Sequence, residues 1–176
     1  YLLRAVYGNW AYLKHNRPEF SDRRLNWVAY VAGKRESRRL LGDVVLNQLD
    51  IDNAKKYPDA CVTATWGIDL HHPDSENANN FPEPFWAKNV HPHHKPYPIP
   101  YRCLYSRNVD NMFLAGRDIS VTHVALGTVR LQRTTGMMGE VVGMASSVCS
   151  RDGLTPRGLY RGRLPELKQL MRDGAG

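Results

Sequence analysis

The sequence predicts an α/β fold, and three observations carry that reading. Residues 111–116 hold a short apolar run, Met112 to Ala115, that stops at Gly116, the pattern of a buried strand in a parallel sheet. Downstream, Met137, Met138, Val141, Val142, Ala145 and Val148 recur at helical spacing and predict a helix over 134–149. Three further runs, 25–31, 43–49 and 60–66, read as strands.

Taken in order, the chain opens with a helix over 2–15 that places Leu3, Val6, Tyr7, Trp10 and Leu13 on one face and ends by Pro18. The strand at 25–31 is closed by Gly33. After the strand at 43–49, Asp50 is placed to cap a short helical turn ahead of Pro58. Residues 71–100 are rich in Pro, Asn and His and read as an irregular surface excursion. His71, His72, His91, His93 and His94 raise the question of a metal. Short His tracts do not define convergent ligands, and the neighbouring prolines spread side chains to opposite sides, so no metal is assigned. Residues 97–104 are extended and lead into the central strand. Gly153 and Pro156 break the chain, and Pro165 starts a last amphipathic helix with Gly174 just beyond it.

The central stretch, 111–149, carries the features that bear on ligands. Gly116 has no Cβ, so another molecule can approach its backbone. Arg117 and Asp118 follow where the strand leaves the sheet, the usual place for ligand contacts in open α/β folds. Thr134 or Thr135 is placed to cap the helix, whose start offers unpaired N–H groups and the positive end of a dipole. Gly136, Gly139 and Gly143 each cost helix propensity, about 1 kcal/mol against Ala. That cost predicts a close neighbour on the glycine face, either a sheet or a flat ligand.

Composition excludes several classes. A chain of 176 residues with 42% hydrophobic and 23% charged residues describes a globular protein with one ordinary core. No apolar run approaches the length that spans a bilayer. The net charge of +7 comes from Arg and Lys scattered over several segments, without the interleaved aromatics of a nucleic-acid platform. Cys61, Cys103 and Cys149 are widely spaced and lack metal-type pairing; they read as buried thiols, with one bridge left open. The N-terminal YLLRAVYGNW has neither an initiator Met nor a signal-peptide pattern, so the chain is expected to begin inside a longer protein.

Ala115 to Arg130 reads AGRDISVTHVALGTVR. It resembles the run AGR-x-x-S-x-T-H-x-A-L-G-x-x-R that precedes a Gly-rich helix in FAD-dependent oxidoreductases of the glutathione-reductase-like two-domain fold. Two further stretches resemble the same family in order and spacing: GKRESRRLLGDVVL at 33–46 and PYPIPYRCLYSRNVDNMFLAGR at 96–117. The likeness covers roughly residues 25–173 and is weakest over 68–95.

The resemblance implies the C-terminal portion of an FAD/NAD(P)-binding Rossmann-like flavoprotein fold plus substrate-domain strands. No G-x-G-x-x-G follows a strand, so the N-terminal dinucleotide-binding half is expected upstream, in the remainder of the flavoprotein chain. The division implied is a substrate-domain portion at 1–110, the strand and helix of the FAD-binding domain at 111–150, and a helical tail at 151–176. FAD is the implied cofactor, with Gly116, Arg117, Asp118, Thr134, Thr135, Gly136 and Met137 against it. The helix start would face the pyrimidine end of the isoalloxazine, where reduced flavin carries negative charge.

Arg35 and Arg38 belong to a run that marks the substrate side in this family, and arginines there suit a carboxylate, a phosphate or a flavin carbonyl. His123 is implied to take a proton from a substrate C–OH or N–H, or to be structural. Arg130 is implied to anchor an anion or to hold the loop together. The activity implied is hydride transfer from a small organic substrate to flavin, with oligomeric state open. A non-catalytic binding module using the basic surface and the His-rich loop is the alternative.

Overall fold

The computed structural model describes residues 2–31, 36, 38–73, 87–90, 92 and 94–174. They divide into two compact units, Tyr1–Ser37 and Arg38–Gly176.

In the first unit, helix α1 spans Leu2–Asn16, as the apolar spacing predicts. A 3₁₀ turn follows at Pro18–Phe20. Phe20 packs edge-on against Trp10, with ring centroids 6.2 Å apart. Lys14 closes the turn by donating to the carbonyls of Ser21 and Arg23. The strand expected at 25–31 is not formed: among the described residues these have no ladder partner, and Trp27 and Tyr30 are 72% and 90% exposed. Aromatic and β-branched residues favour a strand only where a second strand supplies hydrogen bonds and a packing face.

The second unit mixes helices with two small antiparallel sheets. Strand β1 (Ala60–Ala64) pairs with β4 (Tyr97–Pro100), Ala64 lying opposite Tyr97. Strand β2 (Leu70–Pro73) pairs with β3 (Ala87–Val90), so part of the expected surface excursion is a hairpin. Residues 97–104 are extended only as far as Pro100; a 3₁₀ turn at Tyr101–Cys103 follows.

The stretch expected as strand 43–49 turns instead. Asn47 caps the short helix α2 (Gln48–Asp52): its side chain accepts from the Asp50 N–H while the Asp50 carboxylate accepts from the Asn47 N–H. This reciprocal capping box places Asp50 inside the first turn and not at the cap.

The parallel strand at 111–116 is likewise not formed. Phe113 makes one antiparallel bridge to Tyr105, framed by hydrogen bonds from Ser106 N–H to Met112 O and from Leu114 N–H to Leu104 O. Only Leu114 of the run is fully buried, because the chain doubles back after residue 106 and leaves room for two pairing rungs. Parallel pairing occurs at another place, as a single bridge between Leu46 and Val121.

Four helices complete the unit: α3 (His123–Val129), α4 (Gln132–Asp152), α5 (Pro156–Gly162) and α6 (Leu164–Asp173). The sequence reading lacked α3, which Thr122 caps by accepting from the Ala125 N–H. Helix α4 starts earlier than expected, with Leu131 at the cap position and no side-chain cap. It packs against β1, α5 and α6. Its buried face holds Thr134, Met138, Val141, Ala145, Val148 and Cys149, close to the predicted apolar stripe. Gly153 ends it in the left-handed region, φ 63°.

The core gathers Leu46, Ile51, Ile68, Tyr97, Tyr101, Tyr105, Leu126 and Met138 around these elements. Its tyrosines are all anchored. Tyr101 donates to the Pro156 carbonyl at 3.0 Å, and Tyr97 donates to Thr128, which donates on to the Trp66 carbonyl. Burial pushes the Tyr97 phenol up to about 12. Asp59, fully buried, accepts two hydrogen bonds from the Arg102 guanidinium and one from its backbone N–H. Arg102 in turn lies over the Tyr160 ring of α5, 5.2 Å from its centroid. The three cysteines are free and buried, so the bridge left open by sequence is not made.

Candidate functional site

Residues 38–46 are the spine of the site, hydrogen-bonded on both sides. On one side the Leu40 N–H donates to the Asp118 carbonyl at 2.9 Å, Leu46 N–H to Ser120 O at 3.0 Å, and Thr122 N–H to Leu46 O at 2.9 Å. On the other, Arg107 N–H donates to Leu41 O at 2.7 Å and Val44 N–H to Arg102 O at 3.3 Å. Gly42 sits at the narrowest point: a Cβ there would lie 2.4 Å from the Arg102 carbonyl oxygen. Glycine is required here by close approach, not by an unusual φ. The spine thus joins the stretch that begins at Arg38 and Arg39 to the AGRD turn, two parts of the sequence on which the family resemblance rests.

At that turn Gly116 has φ 110°, a conformation that L side chains rarely adopt, and a Cβ would meet nothing nearer than Asp118 Oδ1 at 3.9 Å. Arg117 and Asp118 are exposed beside it. Arg38 is exposed two residues before Leu40, so the spine brings its backbone toward the same turn. Arg35 lies outside the described residues.

His123 opens α3 and is exposed, while Ala125 to Val129 behind it are buried. Arg130, at the other end of α3, is a tie between segments: its Nη2 donates to the Asp69 carbonyl at 3.1 Å and to Asp69 Oδ2 at 3.2 Å. Asp69 N–H donates to the Gly127 carbonyl, and a Cβ at Gly127 would lie 2.9 Å from the Asp69 oxygen. Of the two roles open to Arg130, the contacts are those of holding a loop. Asp69 was not singled out from sequence; its signal was only an acid beside the His-rich stretch.

Leu131 and Gln132 follow directly, so the Arg130 tie stands at the doorstep of α4. Thr134 is buried and faces the core; Thr135 donates its hydroxyl to the Gln132 carbonyl. Neither caps the helix as expected, and the cap residue, Leu131, gives its first N–H groups no side-chain hydrogen bond. Met137 is partly buried against the core. Gly136, Gly139 and Gly143 lie on the opposite, exposed face, where an added Cβ would meet nothing within 4 Å among the described residues. The close neighbour predicted from their propensity cost is not supplied by these parts of the chain. Among the described residues no group of three His, Cys, Asp or Glu side chains is placed to hold a metal; His91 and His93 lie outside them.

A family model for FAD dependent oxidoreductases matches residues 2–171, nearly the whole chain. The chain belongs to that family. FAD is therefore its cofactor, and its chemistry is redox. No curated protein and no solved structure matches the chain. The residues present fit a long anionic cofactor at two places. The Gly116 turn presents backbone with open space where a side chain would stand. The uncapped start of α4 presents N–H groups and a dipole end, with glycines leaving the adjoining helix face bare.

Proposed function

We propose that this FAD-dependent oxidoreductase oxidises a small organic substrate by hydride transfer, and that residues 38–46 join its substrate side to its flavin side. The observation that supports the reading is the 2.9 Å hydrogen bond from Leu40 N–H to Asp118 O, which ties the segment just after Arg38 and Arg39 to the glycine turn. Within this reading, 1–110 is the substrate-side portion, 111–150 the flavin-contacting portion and 151–176 a tail, with the dinucleotide-binding half supplied by further chain.

Gly116 and its neighbours Arg117 and Asp118 would hold the cofactor along its middle. Backbone N–H groups at Thr134, Thr135, Gly136 and Met137 would face the isoalloxazine. When bound, FAD supplies the two-electron acceptor. The protein supplies position and charge. Arg38 would anchor an anionic group of the substrate by forked hydrogen bonds, and Arg35 is proposed as a further anion-binding residue. His123, exposed at the start of α3, would take the proton from the substrate heteroatom. Arg130 keeps α3 and the α4 start in place through Asp69.

The test uses the full-length, flavin-loaded protein under anaerobic conditions with a panel of secondary alcohols, amines and 2-hydroxy acids, followed by bleaching of flavin absorbance. A substrate that bleaches the wild type should do so roughly a hundredfold more slowly in His123→Ala with flavin content unchanged. Arg38→Ala should raise the concentration needed for half-maximal rate. Full flavin content in Gly116→Val would remove the turn from the cofactor site.

A further inference from the structure

The Arg130 tie has a third member. Asp69 Oδ1, the oxygen that Arg130 leaves, is buried and has no aligned hydrogen bond, but His71 Nε2 lies 3.2 Å from it at ion-pair distance. The imidazole is 45% exposed, whereas Asp69 and Arg130 are 19% and 13% exposed. A mostly buried acid thus lies beside a ring that is open to water. With the first proton on Nε2, beside the carboxylate, Nδ1 takes the next. A proton taken up by His71 places its charge beside the one carboxylate oxygen that no other donor covers. Among the described residues the charged groups paired with it are Asp69 and, through Asp69, Arg130, and the backbone register of β3 sets Asn89 opposite His71 and Lys88 opposite His72.

The position of this trio gives it a use. Arg130 is followed by the Leu131 cap and the first residue of α4, the helix start proposed above to face the isoalloxazine. Two-electron reduction by hydride adds one negative charge to the flavin at that end. A proton taken up nearby compensates such an added charge. We propose that His71, beside the Asp69 that Arg130 holds, takes up a proton from solvent when the bound flavin is reduced. The balance is simple: hydride brings two electrons and one negative charge to the flavin, and water-borne H⁺ adds one positive charge at His71 Nδ1. Asp69 and Arg130 are positioning residues, and they undergo no chemistry themselves. The inference rests on the reading that the α4 start receives the isoalloxazine.

The experiment is a potentiometric titration of the full-length flavoprotein with dithionite and indicator dyes, from about pH 5.5 to 8.5, across the ordinary histidine range. The wild type should show a change of slope in midpoint potential against pH. His71→Gln should abolish the break, and Asp69→Asn should move it. A break unchanged in His71→Gln overturns the proposal. If His71→Gln loses flavin, histidine NMR of the wild type before and after reduction at fixed pH decides: an imidazole that gains a proton supports it, and unchanged histidine signals overturn it. Gly136→Val separates the two levels. Flavin kept in that variant overturns the placement at α4 and the proposal with it. Flavin lost there, with the break intact in His71→Gln, overturns the His71 proposal alone.

Discussion

Arg157 grips Asp43 with both ends of its fork, Nε to Oδ2 at 2.8 Å and Nη2 to Oδ1 at 2.7 Å, and ties helix α5 to the spine at 38–46. Asp43 Oδ2 also accepts from the Tyr105 hydroxyl at 2.8 Å, and Arg157 also donates to the Arg107 carbonyl. A residue 114 positions away in sequence thereby fixes the segment that meets the Gly116 turn.

The Arg157 hydrogen bond is the main cause holding the Asp43 carboxyl below its ordinary value. A depressed carboxylate stabilises the fold above its unfolded-state value, near ~4, and that contribution is lost as pH falls through the lower folded value. Urea midpoints of the wild type should therefore fall more steeply on acidification below about pH 4 than those of Asp43→Asn. Parallel curves would mean the pair contributes nothing that titrates.

Gly42→Ala should destabilise by about 1–3 kcal/mol, the usual cost of overpacking. The added Cβ meets backbone oxygens of Arg102 and Tyr105, which cannot rotate away as a side chain would. Denaturant unfolding measures it. A neutral result would show that the spine is free to shift, and with it the contact between Leu40 and Asp118.

Which parts of this were legible in the sequence follows from where the information lies. Helices α1, α4 and α6 were readable because apolar residues repeat along one face. Strand β1 was readable because its partner β4 is also formed. The runs at 25–31, 43–49 and 111–116 have strand-like residues, but pairing depends on distant segments that no local pattern reports. Helix α3 hid behind its own motif, where Thr122 is the cap that the pattern contains. The glycine at 116 and the arginine run were legible as motifs. The tie from Arg130 to Asp69 was not, because it joins positions 61 apart.

Gly139→Ala and Gly143→Ala should separate the cost of a glycine from its use. Both sit in the interior of α4 with open space around them, so alanine should stabilise the apoprotein by about 0.5–1 kcal/mol each. If that face closes over flavin, the same substitutions should lower flavin content of the holoprotein. Thermal unfolding without flavin and absorbance after purification read the two effects. More stable apoprotein with full flavin content would leave the glycine face outside the cofactor site.

Arg130→Ala and His123→Ala should differ in kind. Loss of Arg130 leaves the mostly buried Asp69 carboxylate without its cation and the Asp69 carbonyl without a donor. The expected cost is about 2–4 kcal/mol of stability, since a desolvated charge left unpaired is expensive. Arg130→Lys should recover part of it, because a single nitrogen, Nη2, makes both contacts and an ammonium can reach one of them. His123 is exposed at a helix start, so its loss should destabilise the fold less than loss of Arg130 does. Its effect belongs to the rate of flavin reduction. Equal destabilisation by the two substitutions would return His123 to a structural role, and a stable Arg130→Ala protein would dismiss the tie.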